Sequence, residues 1–489
     1  MASLEEIRNE RLRKLSILKT MGVTPYPIIS NFDATLLEAV AQFTKLSKRK
    51  KPLSLVGRVM SLRGQGALVF FDLNDGTGLF QGLLKKGDIE DAAFELFKDT
   101  IDIGDFIEVS GKLFVTKRKE KTILVTNWRM LSKSLRPLPD KWHGLQDVEE
   151  RFRRRYLDTL MSTEVRDRFL VRSAVINEIR VALTENGFLE VETPLLQPLA
   201  GGATALPFST HHNALDMDLF LRIAPELYLK QLLVGGFRKV FELGRNFRNE
   251  GIDVTHNPEF TMLEFYEAYS DAKKAMKFVE ALVRRVAKKV AKKGQVPHGE
   301  EVIDFGKPFS VISYADLLKR YALIPDLIKV TKEELVVKAK QLGIDVTPHD
   351  AKEKIIDNIY KKTCRPKLIQ PTFIVDYPVE FSPFAKRKED DQNFIDRFQL
   401  VVGGFEVVNA FSELNDPSDQ RERYVEQDKK KRAGEGEVSP SDEGYLESME
   451  YGMPPAAGVG IGIDRLVMIL TNTKNIKEVI LFPTMRPRE

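Results

Sequence analysis

Three segments combine arginine, glutamate and glycine in a way that suits phosphate chemistry. They are FELGRNFRNE (241–250), HNPEFT (256–261) and GIGIDR (460–465). Arginine presents a planar fork of donors that binds phosphate oxygens in pairs. The chain has no GxxxxGK[ST] loop, and the glycines of GVGIGID (458–464) have the wrong spacing for a dinucleotide-binding fingerprint. Any nucleotide site in this chain must therefore use another architecture.

Length and composition indicate an ordinary globular protein with several domains. The chain has 489 residues, of which 43% are hydrophobic and 30% charged. A net charge of +4 excludes a generally polycationic nucleic-acid coat but allows a local basic patch. One cysteine, Cys364, permits no intrachain disulfide, and six histidines with it speak against a structural zinc site.

The apolar patterning predicts neither a membrane span nor a signal peptide. No apolar run approaches the roughly 18 residues that a transmembrane helix needs. The first residues, MASLEEIRNERLRKL, are polar and charged, without the apolar stretch of a signal peptide. We therefore expect a cytoplasmic protein without membrane contact.

The amino-terminal third predicts a helix followed by a small β-barrel. Residues 4–20 have helical periodicity with a basic face. Between residues 52 and 133, five short runs rich in Val, Ile, Leu and Phe are separated mainly by turns such as Asp75-Gly76-Thr77-Gly78. Five short strands in this length predict a five-stranded barrel of the oligonucleotide-binding (OB) kind.

The rest of the chain predicts a linker and one large α+β unit. Residues 136–150 contain two prolines and no strong periodicity, and a long helix ending near Gly187 follows. Residues 428–444 are predicted to be a loop. The predicted domains are an N-terminal extension (1–51), an OB-fold domain (52–135), a linker (136–150) and a catalytic domain (151–489).

The ordered set of motifs resembles the class II aminoacyl-tRNA synthetases. GFLEVETP (187–194), the two segments between 241 and 261, and GIGIDR are similar to motifs 1, 2 and 3 of that family, in the same order. Residues 201–266, LIQPTF (368–373), FSELNDP (411–417) and LFPTMRP (481–487) resemble the lysyl-tRNA synthetases in particular. The resemblance implies a catalytic domain on an antiparallel sheet and a homodimer with motif 1, including Pro194, at its interface.

The resemblance also assigns an ATP site, with magnesium bridging the phosphates. Arg248 and Arg465 are implied as catalytic residues, with Arg248 on the α-phosphate and the amino-acid carboxylate. Phe260 would stack on adenine, and Glu250 would accept a hydrogen bond from the adenine amino group. The ATP set implied is Arg248, Glu250, His256, Asn257, Phe260, Glu406 and Arg465. Glu406 and position 399 are implied as metal ligands, but this chain has Gln399 where the family has glutamate.

A pocket for lysine and a surface for the tRNA anticodon are implied in the same way. Glu413 and Tyr266 would hold the side-chain ammonium of lysine. The lysine set is Gly202, Glu226, Arg248, Glu264, Tyr266, Asn409, Phe411 and Glu413; the anticodon set is Arg63, Phe70 and Gln81. Phe70 adjoins Phe71 in a strand, so we expect one ring to face outward. A family glutamate late in the barrel is replaced here by Asn127.

The activity implied is lysine–tRNA ligation, with ATP, L-lysine and tRNA(Lys) as substrates. Two alternatives remain at this stage. An aspartyl- or asparaginyl-tRNA synthetase would need a cation where the substrate side chain ends, in place of the carboxylates. A non-catalytic RNA-binding paralogue would not need the intact set of Arg248, Glu250 and Arg465.

Overall fold

The computed structural model describes residues 3–139, 145–347, 350–432 and 439–488, and the chain forms two compact units, Met1–Gln146 and Asp147–Glu489. Part of the predicted linker, residues 140–144, lies outside the described residues. No helix among the described residues is long and apolar enough to cross a membrane.

The described residues of the first unit form one barrel and four α-helices. In chain order the elements are α1 (Leu4–Thr20), α2 (Leu36–Ala41), α3 (Phe43–Leu46), β1 (Leu53–Gln65), β2 (Leu68–Asn74), β3 (Leu79–Lys85), α4 (Asp91–Thr100), β4 (Phe106–Val115) and β5 (Lys121–Ser132). The strands close in the order β1-β2-β3-β5-β4. The predicted five-stranded OB-fold barrel is thereby confirmed.

Alternation of apolar side chains explains the barrel. On β2, and on β1 from Leu53 to Val59, every second residue is buried, so successive side chains point into and out of the barrel. Phe71 points inward and packs on Phe97 of α4, with ring centroids 5.4 Å apart. Gly82 on β3 is required next to it, because a Cβ there would overlap the Phe71 ring.

The second unit is built on one large sheet. Its helices are α5 (Val148–Arg153), α6 (Arg155–Met161), α7 (Thr163–Glu185), α8 (Glu226–Val234), α9 (Ala272–Val290), α10 (Tyr314–Leu317), α11 (Lys332–Gln341), α12 (Lys352–Thr363), α13 (Pro417–Arg432), α14 (Glu443–Glu450) and α15 (Ile463–Leu470). Its strands are β6 (Leu189–Glu190), β7 (Leu196–Gln197), β8 (Ser209–His212), β9 (Met217–Leu221), β10 (Lys239–Phe247), β11 (Glu259–Ala268), β12 (Gln295–His298), β13 (Glu301–Asp304), β14 (Ser310–Ser313), β15 (Thr372–Pro378), β16 (Phe394–Val402), β17 (Phe405–Ser412) and β18 (Ala456–Gly462).

Eight strands pair in the order β14-β15-β16-β17-β18-β11-β10-β6. All pairings are antiparallel except those of the two outermost strands, β14 with β15 and β6 with β10. The prediction of an α+β unit on an antiparallel sheet is confirmed. On one face, buried residues of the sheet pack against α7, α9 and α15, and the opposite face is left for α8 and the site.

The long helix and the loop of the second unit were predicted with different success. Helix α7 ends one residue before Asn186, and Gly187 follows with a φ of 78°, the left-handed conformation that glycine favours after a helix. The prediction of a loop over 428–444 was wrong at both ends. Helix α13 continues to Arg432 and α14 begins at Glu443, while residues 433–438 lie outside the described residues.

Candidate active site

Side-chain alternation on three neighbouring strands builds the floor of a cavity. On β11, Leu263 and Phe265 point into the core, whereas Glu264 and Tyr266 point to the opposite face. Strand β18 contributes glycines on that face, and a Cβ at Gly458 would overlap Glu413 Oε1 and the Tyr266 ring. The glycine repeat of GVGIG therefore provides space above the sheet.

The cavity has a volume of about 380 Å³, and every residue that lines it belongs to the second unit. It brings together these residues predicted for ATP or lysine: Gly202, Glu226, Arg248, Glu250, His256, Asn257, Phe260, Glu264, Tyr266, Glu406, Asn409, Phe411 and Arg465. Two predicted residues, Glu413 and Gln399, are not among the lining residues. Glu413 lies directly behind Gly458, and Gln399 is described below.

Arg248 presents a cation that has no anionic partner among the described residues. It follows β10, and its backbone N–H donates to the Pro258 carbonyl at 2.8 Å. Its guanidinium lies 5.1 Å from the centroid of the Phe260 ring. The Nε atom is buried without a hydrogen-bond partner in the described part of the chain, and burial lowers the pKa of this guanidinium. A buried donor of this kind is suited to an anionic ligand.

A second cation, Arg465, is held by a short relay. Arg465 Nη2 donates to His256 Nε2 at 3.0 Å. Arginine cannot accept, so His256 carries its proton on Nδ1, which lies 2.9 Å from Asp253 Oδ2. Burial opposes ionisation of Asp253, but hydrogen bonds from Thr255 and His256 outweigh it and lower the Asp253 pKa to about 2. The carboxylate thus fixes the imidazole that positions Arg465.

The other end of the cavity is acidic and buried. Glu226, Glu264 and Glu413 are at most 8% exposed, and Tyr266 donates to Glu264 Oε2 at 3.0 Å. Burial and then the charge of Glu226 raise the pKa of Glu264 to about 8. Burial likewise raises the pKa of Glu413 well above its ordinary range. Such a pocket favours a ligand that brings positive charge.

Gly202 shapes the approach to this acidic end. Its φ is +82°, and a Cβ would lie 2.9 Å from the Cβ of Glu226. Only glycine meets both conditions without strain, so the backbone itself lines the cavity here.

The residues predicted for the anticodon lie on one face of the barrel, in the first unit. Arg63 pairs with Phe70 across β1 and β2, and Asp72 pairs with Gln81 across β2 and β3. Since Phe70 and Asp72 are two residues apart, all four side chains share the outer face. Phe70 is half-buried while Phe71 is fully buried, as expected. Gln81 accepts a hydrogen bond from Thr122 at 2.9 Å.

Two family models match the chain. The model of the class II tRNA synthetases (D, K and N) matches residues 147–486, and the model of the OB-fold nucleic acid binding domain matches residues 53–131. Lysine–tRNA ligases of Dehalococcoides mccartyi and Pelotomaculum thermopropionicum are 46% and 47% identical to the chain. Each alignment covers 99% of this chain, and 98% and 96% of the respective relative. The chain belongs to the lysine–tRNA ligase family.

Two charged residues that line the cavity, Arg397 and Asp464, were missed by sequence reasoning. Arg397 lines the cavity and donates from Nε to Asn409 Oδ1 at 2.8 Å. Asp464 also lines it, accepts the backbone N–H of Thr261 at 2.7 Å, and pairs with Arg172 at 2.6 Å. The family motif GIGIDR contains Asp464, so its place beside Arg465 could have been anticipated. Nothing in the local sequence marks Arg397.

Of the two residues predicted to hold magnesium, only Glu406 lines the cavity. Glu406 lines the cavity, whereas Gln399 on β16 is buried opposite Asn409 and accepts the Tyr377 hydroxyl at 2.7 Å. The described residues contain no cluster of three or more His, Cys, Asp or Glu placed to hold a metal. Magnesium in nucleotide sites is commonly held by one or two carboxylates together with substrate phosphates. Glu406 fits an ion of that kind.

Proposed function

We propose that the protein activates L-lysine with ATP and transfers it to tRNA(Lys). The observation that carries this proposal is the buried acidic pocket of Glu226, Glu264 and Glu413 next to Arg248, whose buried Nε has no hydrogen-bond partner among the described residues. An amino acid with a second ammonium group meets carboxylates at that end, and its carboxylate meets Arg248. Relatives named lysine–tRNA ligase support the same substrate.

The first step needs positioning and electrostatics and no general base. A carboxylate oxygen of lysine attacks the α-phosphorus of ATP, the bond to the bridging oxygen breaks, and pyrophosphate leaves. Arg248 would stabilise the charge on the α-phosphate, and Arg465 would hold the outer phosphates. The Phe260 ring would stack on adenine, and Glu250 would accept a hydrogen bond from the adenine amino group. His256 and Asn257 would complete the ATP site.

Glu406, with Gln399 as the second predicted ligand, would hold a magnesium ion that supplies positive charge to the phosphates. Gly202, Asn409 and Phe411 would complete the lysine pocket around Glu413 and Tyr266. In the second step a terminal ribose hydroxyl of the tRNA attacks the adenylate carbonyl carbon, and AMP leaves. Arg63, Phe70 and Gln81 would contact the anticodon through stacking and polar contacts.

Three further assignments belong to the proposal. Motif 1, including Pro194, would form the interface of a homodimer. The domains would divide as 1–51, 52–135, 136–150 and 151–489, and the protein would work in the cytoplasm. An aspartate or asparagine substrate is disfavoured because its side chain would end among carboxylates. A non-catalytic role is disfavoured because Arg248, Glu250 and Arg465 converge on one cavity.

ATP–pyrophosphate exchange, screened against all twenty amino acids, tests the proposal. Exchange should depend on lysine and proceed without tRNA. Exchange driven by aspartate or asparagine would replace the proposed substrate, and absence of exchange with every amino acid would exclude the catalytic role.

A further inference from the structure

A lysine of the protein itself is buried behind the acidic pocket. Lys230 lies on α8 one turn after Glu226, and its side chain is fully buried. Its ammonium lies 2.5 Å from Glu226 Oε1 and forms an ion pair with Glu413 Oε2. The Phe384 and Phe411 ring centroids lie 4.9 and 5.5 Å from it. An ammonium this deep is tolerated only because carboxylates and aromatic faces replace its water.

The ion pair leaves one oxygen of Glu413 for another partner. Both oxygens of Glu413 are buried without a hydrogen-bond partner among the described residues, but Oε2 forms the ion pair with Lys230, whereas Oε1 has no such pair there. It points toward Gly458, where the missing side chain opens the route to the cavity. Lys230 holds the far side of the carboxylate, so rotation of Glu413 would break that ion pair. The free oxygen is thus fixed toward the place where a ligand ammonium would arrive.

Lys230 also offsets part of the negative charge at the acidic end. Glu226, Glu264 and Glu413 can each ionise, and Lys230 places one buried cation against Glu226 and Glu413. Without Lys230 these two carboxyls would lose that cation, and protons would take its place.

We propose that Lys230 is a positioning residue for amino-acid selection: its ammonium pairs with Glu226 and Glu413 and fixes Glu413 toward the substrate's side-chain ammonium. This inference deepens the proposed function and rests on it. Lys230 touches no substrate in this role, since it is not among the residues that line the cavity.

The direction of the pKa shifts agrees with this role. Burial alone would lower the pKa of Lys230, but the charges of Glu226 and Glu413 raise it well above its ordinary value. The cation in turn opposes the rise that burial causes in the pKa of Glu226 and Glu413. The titratable and charged groups that act on this cluster from the packed elements include Glu226, Glu264, Glu413, Tyr266, Tyr424, Tyr445, Asp442, Arg222 and Arg248.

Lys230→Met and Lys230→Gln, made in the full chain, test the inference by tRNA-free pyrophosphate exchange. The KM for lysine should rise at least about 30-fold, the usual scale for loss of one partner of a buried charge pair. The KM for ATP and kcat at saturating lysine should change little. The pH at which the lysine KM levels off should move upward, because the carboxyls lose the cation that favours their ionisation. Leu229→Met, a buried neighbour on α8, is the packing control.

A lysine that serves packing alone would give a different pattern. Both variants would then lower the melting temperature, kcat and both KM values together, without a shift in the pH profile, and that result would overturn the inference. If neither single variant folds, the double variant Lys230→Met/Glu226→Gln is used, because it removes the ammonium together with the charge of its partner Glu226. It is compared with Glu226→Gln alone. An upward pH shift in the double variant only is expected, and equal profiles would overturn the inference. Absence of lysine-dependent exchange in the unmodified protein would instead refute the proposed function.

Discussion

At the scale of single residues, the partners that a charged side chain already has within the protein determine which of its atoms can bind a ligand. Arg465 is already tied to His256 and to the Glu406 carbonyl, while Arg248 keeps a buried Nε without a partner among the described residues. Glu413 pairs with Lys230 through Oε2, while its Oε1 has no hydrogen-bond partner in the described part of the chain. A buried hydrogen-bond donor or acceptor without a partner costs folding free energy unless a ligand binds it. These atoms therefore mark the reacting end of the cavity.

The first prediction concerns Glu413. Glu413→Gln should raise the KM for lysine by about 30-fold or more, because a buried pair that loses one charge typically costs ~2–5 kcal/mol. The KM for ATP should stay in place, since the ATP residues lie elsewhere in the cavity. Pyrophosphate exchange at varied lysine measures both, with Glu447→Gln, exposed on α14, as control. An unchanged lysine KM would remove Glu413 from the pocket.

The second prediction concerns pH. The raised Glu264 pKa of about 8 means that this carboxyl is largely protonated in the empty site at neutral pH. Lysine binding favours the ionised form, so affinity should increase as pH rises toward about 8 and then level off. The lysine KM, measured between about pH 6 and 9 at saturating ATP, checks this. Glu264→Gln should flatten the profile, and a pH-independent KM in the unmodified protein would contradict the prediction.

Sequence reasoning reached most of these residues because they sit in ordered motifs, but it missed how they are linked. Glu226 was assigned, yet Lys230, four residues later on the same helix, was not. The i,i+4 spacing puts the two on one helix face, but an Arg or Lys at that spacing is usually solvated. Only the fold shows that this face of α8 is buried, because α8 packs against β10, β11 and α14.

At the scale of elements, period-two alternation explains both the successes and the gaps. The five barrel strands were foreseeable from it, and so was the inward direction of Phe71. Helix α4 (Asp91–Thr100), in the segment between β3 and β4, was not predicted from the sequence. The order of strands in the large sheet follows from long-range pairings that no local pattern contains.

The third prediction concerns strands β16 and β17. Gln399 faces Asn409 and its oxygen already accepts the Tyr377 hydroxyl. Gln399→Glu could keep that bond with one oxygen and offer the other, with charge, to magnesium, a hard cation that favours carboxylates. The magnesium concentration for half-maximal exchange at fixed free ATP should fall, whereas Glu406→Gln should raise it sharply. An unmoved midpoint in Gln399→Glu would place residue 399 outside the metal shell.

The fourth prediction uses the opposite directions of Phe70 and Phe71 on β2. Phe70→Ala should weaken anticodon binding by ~1–3 kcal/mol, the usual worth of a stacked base, and slow aminoacylation. Exchange without tRNA and the melting temperature should hardly change. Phe71→Ala empties the barrel core instead and should cost ~3–5 kcal/mol of stability. If Phe70→Ala lowers the melting temperature as Phe71→Ala does, its ring belongs to the core.

At the scale of the whole molecule, the two proposed activities lie in different compact units. The cavity is lined only by residues of Asp147–Glu489, and the proposed anticodon face belongs to Met1–Gln146. Adenylate formation should therefore need nothing from the barrel, while transfer to tRNA needs both units. Sequence composition could separate the two regions, because short alternating strands give way to long helices near residue 150.

The fifth prediction follows from this division and uses an isolated anticodon stem-loop of tRNA(Lys) as an inhibitor of the full-length protein. The stem-loop should bind the barrel and compete with intact tRNA, so the KM for tRNA in aminoacylation should rise with its concentration. It has no acceptor end, and exchange of pyrophosphate in the same mixture should keep its rate. Binding should weaken steeply with salt, as phosphate contacts do. A stem-loop with an unrelated anticodon is the control. If the tRNA(Lys) stem-loop inhibits pyrophosphate exchange as strongly as aminoacylation, the RNA reaches the cavity. If it does not compete with tRNA, the face of Arg63, Phe70 and Gln81 is not the anticodon site.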